Sequence, residues 1–180
     1  MNKHDRSFRT KQAQALWLFR RHRNLNLLAT PGKHEFVIVL DHLKAGYNIG
    51  KIFRSADAFG AREIHLIGVD FFDPAPAMGS FKAVPAKFHK IFASTYEDLL
   101  ARGYTLFMLD PSNGDLLMRA ALPAKSAFIF GHEQFGFSFT KAEFPALQSL
   151  AIPQFGQVQS LNVSVAASIV MYEYIRQHGV

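Results

Sequence analysis

The chain predicts an α/β fold, a mostly parallel β-sheet with helices on both faces. Apolar runs such as Phe36-Val37-Ile38-Val39-Leu40 are unbroken rather than alternating, as strands buried on both faces require. Such runs alternate with helix-like segments, the order that builds parallel sheets. The scale fits as well, because 180 residues with 49% hydrophobic and 13% aromatic content suffice for one core.

The elements follow in order. Segment 11–28 holds a helix without a clean apolar stripe. Pro31-Gly32 breaks the chain before the first strand, 36–40. A loop leads to a helix over about Gly50–Phe59, and Ile64–Val69 reads as the second strand. Residues 71–87, with Pro74, Pro76, Gly79 and Pro85, read as a loop, and a short strand is expected near Ile91. Thr95 is placed to cap a helix over Tyr96–Arg102, and Gly103 to end it. Tyr104–Leu109 and Ala127–Phe130 are the next strands. Ser138 or Thr140 caps a short helix ending before Pro145. Leu150–Ile152 is the last strand, and the last helix spans about Leu161–Gln177.

Composition narrows the function classes. The chain has no cysteine, which excludes a disulfide framework and thiolate zinc sites and suits a cytoplasmic protein. No run approaches the ~18 apolar residues of a membrane span. The net charge of +6 is unevenly placed. Residues 1–33 carry eight basic side chains against one acid, a balance of +7; the rest carry twelve against thirteen, a balance of −1. The chain therefore divides into a basic N-terminal arm or helix, 1–32, and a near-neutral domain, 33–180. Such an arm either contacts nucleic-acid phosphates or is a solvated extension.

Three loops after strands carry candidate chemistry. The first contains Asn48, Gly50 and Arg54, with Arg54 set among Ile52, Phe53, Ala56 and Phe59. An Arg among apolar residues needs a partner, because a buried unpaired charge is costly. A phosphate, a substrate carboxylate or a structural ion pair would all serve. The second is Gly131-His132-Glu133-Gln134-Phe135-Gly136-Phe137-Ser138, where two glycines bracket a carboxylate. The third is Ile152-Pro153-Gln154-Phe155-Gly156 leading through Ser160, Leu161, Asn162 and Ser164 into a small-residue helix. Ser and Asn there are helix caps or site residues.

Other signatures are missing. There is no G-x-G-x-x-G, P-loop, H-E-x-x-H or G-x-S-x-G, and His132-Glu133 lacks the Cys pair of a zinc deaminase. The remaining histidines have no metal-ligand spacing, so no metal is expected.

Taken together, the three blocks resemble the motifs of the SpoU (TrmH-type) RNA 2′-O-methyltransferases of the SPOUT superfamily. The matching residues are Asn48-x-Gly50-x-x-x-Arg54-x-Ala56-x-x-Phe59-Gly60, then Gly131-x-Glu133-x-x-Gly136-x-Ser138, then Ile152-Pro153 with Ser160-Leu161-Asn162-Val163-Ser164-Val165-Ala166-Ala167. The resemblance covers about residues 34–178.

The resemblance implies a homodimer whose C-terminal part forms a deep trefoil knot, a rare exception to chain topology. It implies S-adenosyl-L-methionine as cofactor, held at Gly131, Ile152, Ser160 and Leu161, with Leu109 as a further candidate. It implies tRNA or rRNA as substrate, methylated at a ribose 2′-hydroxyl, with Asn48, Arg54, Glu133, Ser160 and Asn162 as the catalytic set. Guanidinium is essentially always protonated, so Arg54 suits clamping a phosphate and polarising the hydroxyl better than taking its proton. Glu133, a water or the substrate phosphate remain as proton acceptors. An RNA-binding protein of this fold without methyl transfer is the alternative. The sequence departs from the family at Ala45-Gly46-Tyr47, where many members carry Pro. It departs again at Phe135 and Phe137, bulky residues suited to stacking on a base or packing a dimer.

Overall fold

The computed structural model describes residues 3–179. Met1, Asn2 and Val180 lie outside it, as do the side chains of residues 3–10, including Lys3, Arg6 and Arg9 of the basic arm. Seven strands form one sheet: β1 (Val37–Asp41), β2 (Glu63–Ile67), β3 (Ala86–His89), β4 (Thr105–Leu109), β5 (Asp115–Leu116), β6 (Ser126–Phe130) and β7 (Leu147–Ala151). Their order is β3-β2-β1-β6-β4-β7-β5. Every pairing between these strands is parallel.

The helices are α1 (Lys3–Asn26), α2 (Tyr47–Ala58), α3 (Phe92–Ala101) and α4 (Val163–His178). β1 shows why both faces need cover. Ile38 and Leu40 point into one apolar core with Ile52 and Phe53 of α2 and Ala167, Val170 and Met171 of α4. Val37 and Val39 point into a second core with Phe92 and Leu99 of α3. Alternate residues of a strand face opposite sides of a sheet, so an unbroken apolar run needs a layer on each.

Several boundaries differ from the sequence reading. The strand expected near Ile91 is Ala86–His89, beginning at the end of the predicted loop; Ile91 is the extended residue before α3. β3 is an edge strand whose residues are all half-buried, so it lacks the apolar run that marks β1. Thr95 does not cap its helix. α3 begins at Phe92, and Thr95 is wholly buried inside it. Gly103 does follow that helix, at φ 79°, a left-handed geometry that glycine adopts without strain. Thr140 forms a capping box with Glu143 over the 3₁₀ turn Lys141–Glu143. β5 spans only two residues and has no sequence signal.

The N-terminal helix packs onto the domain. Phe19 of α1 is buried against the rings of Phe71, Phe72, Phe81 and Phe88. The buried Asn26 amide donates to the carbonyls of Phe81 (2.6 Å) and Val84 (2.7 Å) and accepts from Ala86 N–H (3.0 Å). The outward face of α1 exposes Lys11, Trp17, Arg20 and Arg21, with the Arg21 guanidinium 5.5 Å from the Trp17 ring centre.

Away from the loops that follow the central strands, Glu63, His65 and Asp98 bring ligand-type atoms within 4.8 Å of one another. Cations already engage both carboxylates. Arg102 bonds Glu63 and Asp98, and Lys87 donates to Glu63 at 3.1 Å, so the group is an ion-pair network.

Candidate functional site

The site forms beyond the carboxyl ends of β1, β4, β6 and β7, where ligands of open parallel sheets sit. β6 ends in the turn 131–136. There His132 N–H donates to the Gly136 carbonyl (2.7 Å) and Gly136 N–H returns a bond to His132 (2.9 Å). A Cβ on Gly131 would lie 2.7 Å from the Gly136 carbonyl carbon, so only glycine permits this closed turn. His132 Nδ1 accepts the backbone N–H of Gln134 (3.0 Å) and of Phe135 (3.3 Å). The turn is thus fixed from within.

Glu133 projects from this turn toward α2. The Asn48 amide donates to it at 2.8 Å and Lys44 N–H at 3.2 Å. Asn48 accepts in turn from the Asn162 amide at 3.2 Å. The Asn162 carbonyl oxygen accepts Ser164 N–H (2.9 Å) and the Ser164 hydroxyl (2.6 Å), which makes Asn162 the N-cap of α4. Asn162 is therefore both cap and member of a chain Glu133–Asn48–Asn162 that ties the three sequence blocks together. Burial raises the Glu133 pKa, but hydrogen bonds from Asn48 and from the backbone, with His132 nearby, outweigh it and hold the carboxyl below its ordinary value. Glu133 is accordingly an acceptor and a weak base.

A cavity of about 540 Å³ opens beside this chain. Leu109, Gly131, Ile152, Ser160 and Leu161 all line it, together with Glu133 and Asn162. Its floor is apolar, from Phe130, Leu150, Val163 and Ala166. In size and lining it suits a cofactor with a flat apolar ring and a polar tail. Gln154, also in the wall, carries a buried Oε1 with no hydrogen-bond partner among the described residues.

Arg54 lies elsewhere. It is exposed, not buried, because α2 turns Ile49, Gly50, Ile52, Phe53 and Ala56 inward and leaves position 54 outside. It makes no hydrogen bond or ion pair with the described residues. It lines a second depression with Lys51, Ser55, Met78, Ser164, Val165, Ser168, Ile169 and Tyr172. Gly50 serves packing: a Cβ there would come within 3.0 Å of Ala77 N, where α2 crosses the 3₁₀ turn Ala75–Ala77.

One positioning residue escaped the sequence reading. Asp41, at the end of β1, is fully buried. Its carboxylate accepts Ser138 N–H (2.6 Å), the Ser138 hydroxyl (2.9 Å) and His42 Nδ1–H (2.7 Å). It anchors the glycine-bracketed loop to the sheet. The available signal was a lone carboxylate ending an apolar strand. Of the two unexpected rings, Phe137 packs in the second core beside Phe139, while Phe135 is 81% exposed.

Fold and site together define a parallel α/β protein with a polar constellation bordering a cofactor-sized cavity at the carboxyl ends of β4, β6 and β7. The chain belongs to the SpoU rRNA Methylase family, whose model matches residues 35–172. It is 32% identical over 148 residues to a tRNA (guanosine(18)-2′-O)-methyltransferase of Thermus thermophilus, covering 79% of this chain and 75% of that protein. It is 30% identical to a 23S rRNA (guanosine-2′-O-)-methyltransferase of Nitrosomonas europaea, covering 79% of this chain and 56% of that one. Among solved structures it resembles a SpoU methyltransferase from Streptomyces viridochromogenes in complex with AdoMet. That match has a TM-score of 0.71 and 28% identity, and covers 84% of this chain and 61% of that chain.

Proposed function

We propose that this protein is an S-adenosylmethionine-dependent RNA methyltransferase acting on a ribose 2′-hydroxyl of tRNA or rRNA. The carrying observation is the chain Glu133–Asn48–Asn162 at the rim of the cavity lined by Leu109, Gly131, Ile152, Ser160 and Leu161. Family membership and the names of the relatives support the same chemistry.

The cofactor, when bound, would supply an electrophilic methyl group on a sulfonium: the ribose oxygen gains the methyl as the C–S bond breaks, the neutral thioether departs, and the hydroxyl proton passes to a water or to a substrate phosphate. The protein's share is placement and proton handling. The apolar floor with Gly131, Gly136, Ile152, Ser160 and Leu161 holds the ligand, and pre-orientation of this kind supplies up to about 7–11 kcal/mol. Asn48 and Asn162 fix the Glu133 carboxylate, whose depressed pKa suits it to orienting groups rather than to taking the proton. Arg54, exposed and without a protein partner among the described residues, is suited to grip a substrate phosphate with its planar fork.

The same reading carries three further proposals. The C-terminal segment from 131 onward forms the trefoil knot of the family, supported by the loops before and after β7 sharing one cavity. The protein is a homodimer. Val165, Ile169 and Tyr172 form an exposed apolar stripe at helical spacing on α4, beside Met78 and Arg54, suited to a second copy. The basic arm with Trp17 and Arg21 contacts RNA phosphates and bases.

The test is transfer of labelled methyl from S-adenosylmethionine to total RNA of a strain lacking this gene, with calorimetry of the cofactor alone. Incorporation supports the enzyme. Cofactor binding absent at millimolar concentration, with RNA binding retained, would favour the RNA-binding alternative.

A further inference from the structure

We propose that Phe135, backed by the His132 imidazole, is a stacking platform for an unpaired nucleobase of the substrate RNA next to the methylated ribose. The proposal rests on the methyl-transfer reading above and names how the substrate is held at that site.

Phe135 is a large apolar ring that is 81% exposed, on a turn closed by backbone hydrogen bonds. The turn is closed by the reciprocal bonds between His132 and Gly136. Phe135's own N–H is held at 3.3 Å by His132 Nδ1. The His132 ring lies 4.7 Å from the Phe135 ring, tilted by 33°, so one face of the pair is supported and the other is left open. Burying an exposed Phe would be favourable, yet the fold packs Phe137, two residues on, partly buried against the second core and leaves Phe135 out.

Position selects the occupant. Glu133 is two residues away, so the two Cα atoms are at most about 7 Å apart. The carboxylate at the reacting edge and the exposed ring therefore sit within one nucleotide's reach. The 2′-hydroxyls of an A-form duplex lie along its shallow minor groove, whereas an unpaired nucleotide can turn its ribose into a recessed cavity for in-line attack. RNA read in this way is single-stranded, with splayed bases stacked on aromatic rings. Charge agrees: the Lys44 ammonium contacts Gln134 Oε1 at 3.5 Å, which places a cation beside the ring for the adjoining phosphate. Phe155, 94% exposed on the loop at the other side of the same cavity, is a second ring open to the same strand.

The experiment compares wild type, Phe135→Ala, Phe135→Leu and Phe135→Tyr. Each is assayed for methylation of total RNA from a strain lacking the gene, for S-adenosylmethionine affinity by calorimetry, and for mass by sedimentation. Base stacking contributes about 1–3 kcal/mol, so Phe135→Ala should raise the RNA KM by roughly 5- to 150-fold. Cofactor affinity and mass should stay as in wild type. Phe135→Tyr should keep the low KM, while Phe135→Leu, apolar but without a π face, should behave like Ala. An unchanged KM in Phe135→Ala, full rescue by Leu, or a change in mass that makes the ring a subunit contact would each overturn the proposal. Absence of RNA methylation by wild type would instead remove the methyl-transfer reading on which it rests, and this inference with it.

Discussion

The Asn48 amide donates to Glu133 at 2.8 Å although the two residues are 85 positions apart. This bond joins the start of α2 to the turn after β6. With the Asn162–Asn48 bond of 3.2 Å it draws three distant loops into one site. Neither asparagine carries charge, so the carboxylate stays ionised while its direction is fixed.

Replacing that carboxylate isolates its charge from its shape. Glu133→Gln keeps the size but weakens the acceptor facing Asn48 and Lys44 N–H. Hydrogen bonds to charged groups contribute about 1.5–3 kcal/mol, so methyl transfer should fall roughly 10- to 150-fold. Cofactor affinity, set by the apolar floor, should change less than threefold. Single-turnover kinetics with calorimetry separate the two.

Asp41→Asn tests the anchor of the same loop. Asp41 accepts three donors from Ser138 and His42 while fully buried. An amide presents one acceptor and a donor to those donors, at a cost of about 1–3 kcal/mol. For a domain of this size that lowers the melting temperature by roughly 2–10 °C. Calorimetric melting measures it, and methyl transfer should fall because Glu133 loses its support.

The outward stripe of α4 predicts the oligomeric state. Ile169→Glu places a charge among Val165, Tyr172 and Met78. If the proposed dimer forms through this stripe, sedimentation should show wild type as a dimer and the variant as a monomer, with little change in melting of the isolated fold, since Ile169 is exposed.

Acid should destabilise the protein through two kinds of group. Burial depresses the pKa of His65, and of His22, His34 and His89, below the ordinary 6.5. Burial pushes Glu63 up, but the hydrogen bonds from His65 and Arg102 outweigh it and hold the carboxyl far below 4.5. In both cases the unfolded chain binds protons that the native chain refuses, so stability rises with pH. Melting temperature should therefore decline as pH falls from 7.5 through 6.5, and further through 4.5. A flat profile would show that these groups do not differ between the folded and unfolded states.

Much of this site was legible in the chain because its chemistry sits in short blocks. Asn48, Glu133, Asn162 and the cavity residues Gly131, Ile152, Ser160 and Leu161 each lie within a recognisable run, and the sheet brings those runs together. In sequence Arg54 reads as a buried residue because Ile52, Phe53 and Ala56 around it are apolar. On a helix they occupy the inner face and Arg54 the outer. Asp41 carries no local signal, because a single carboxylate at the end of a strand has no pattern of its own; its meaning depends on Ser138, 97 residues later. β3 and the start of α3 are hard to read in sequence because Pro85 and half-buried positions hide an edge strand. The dual role of Phe19 and Asn26 in seating α1 was illegible for the same reason, since their partners lie more than 50 residues downstream.

The most direct measurement is the chemical position of the transferred methyl. Total RNA from a strain lacking the gene is incubated with labelled S-adenosylmethionine and either wild type or Arg54→Ala, then digested and resolved by mass spectrometry. Wild type should place the label on a ribose 2′-oxygen at a defined nucleotide, as an alkali-resistant dinucleotide. Arg54→Ala should lower it by at least about 100-fold, the scale of losing a well-placed charged clamp, while folding unchanged. Full activity in Arg54→Ala would remove Arg54 from the account, and label on a base or no label at all would contradict the methyl-transfer assignment itself.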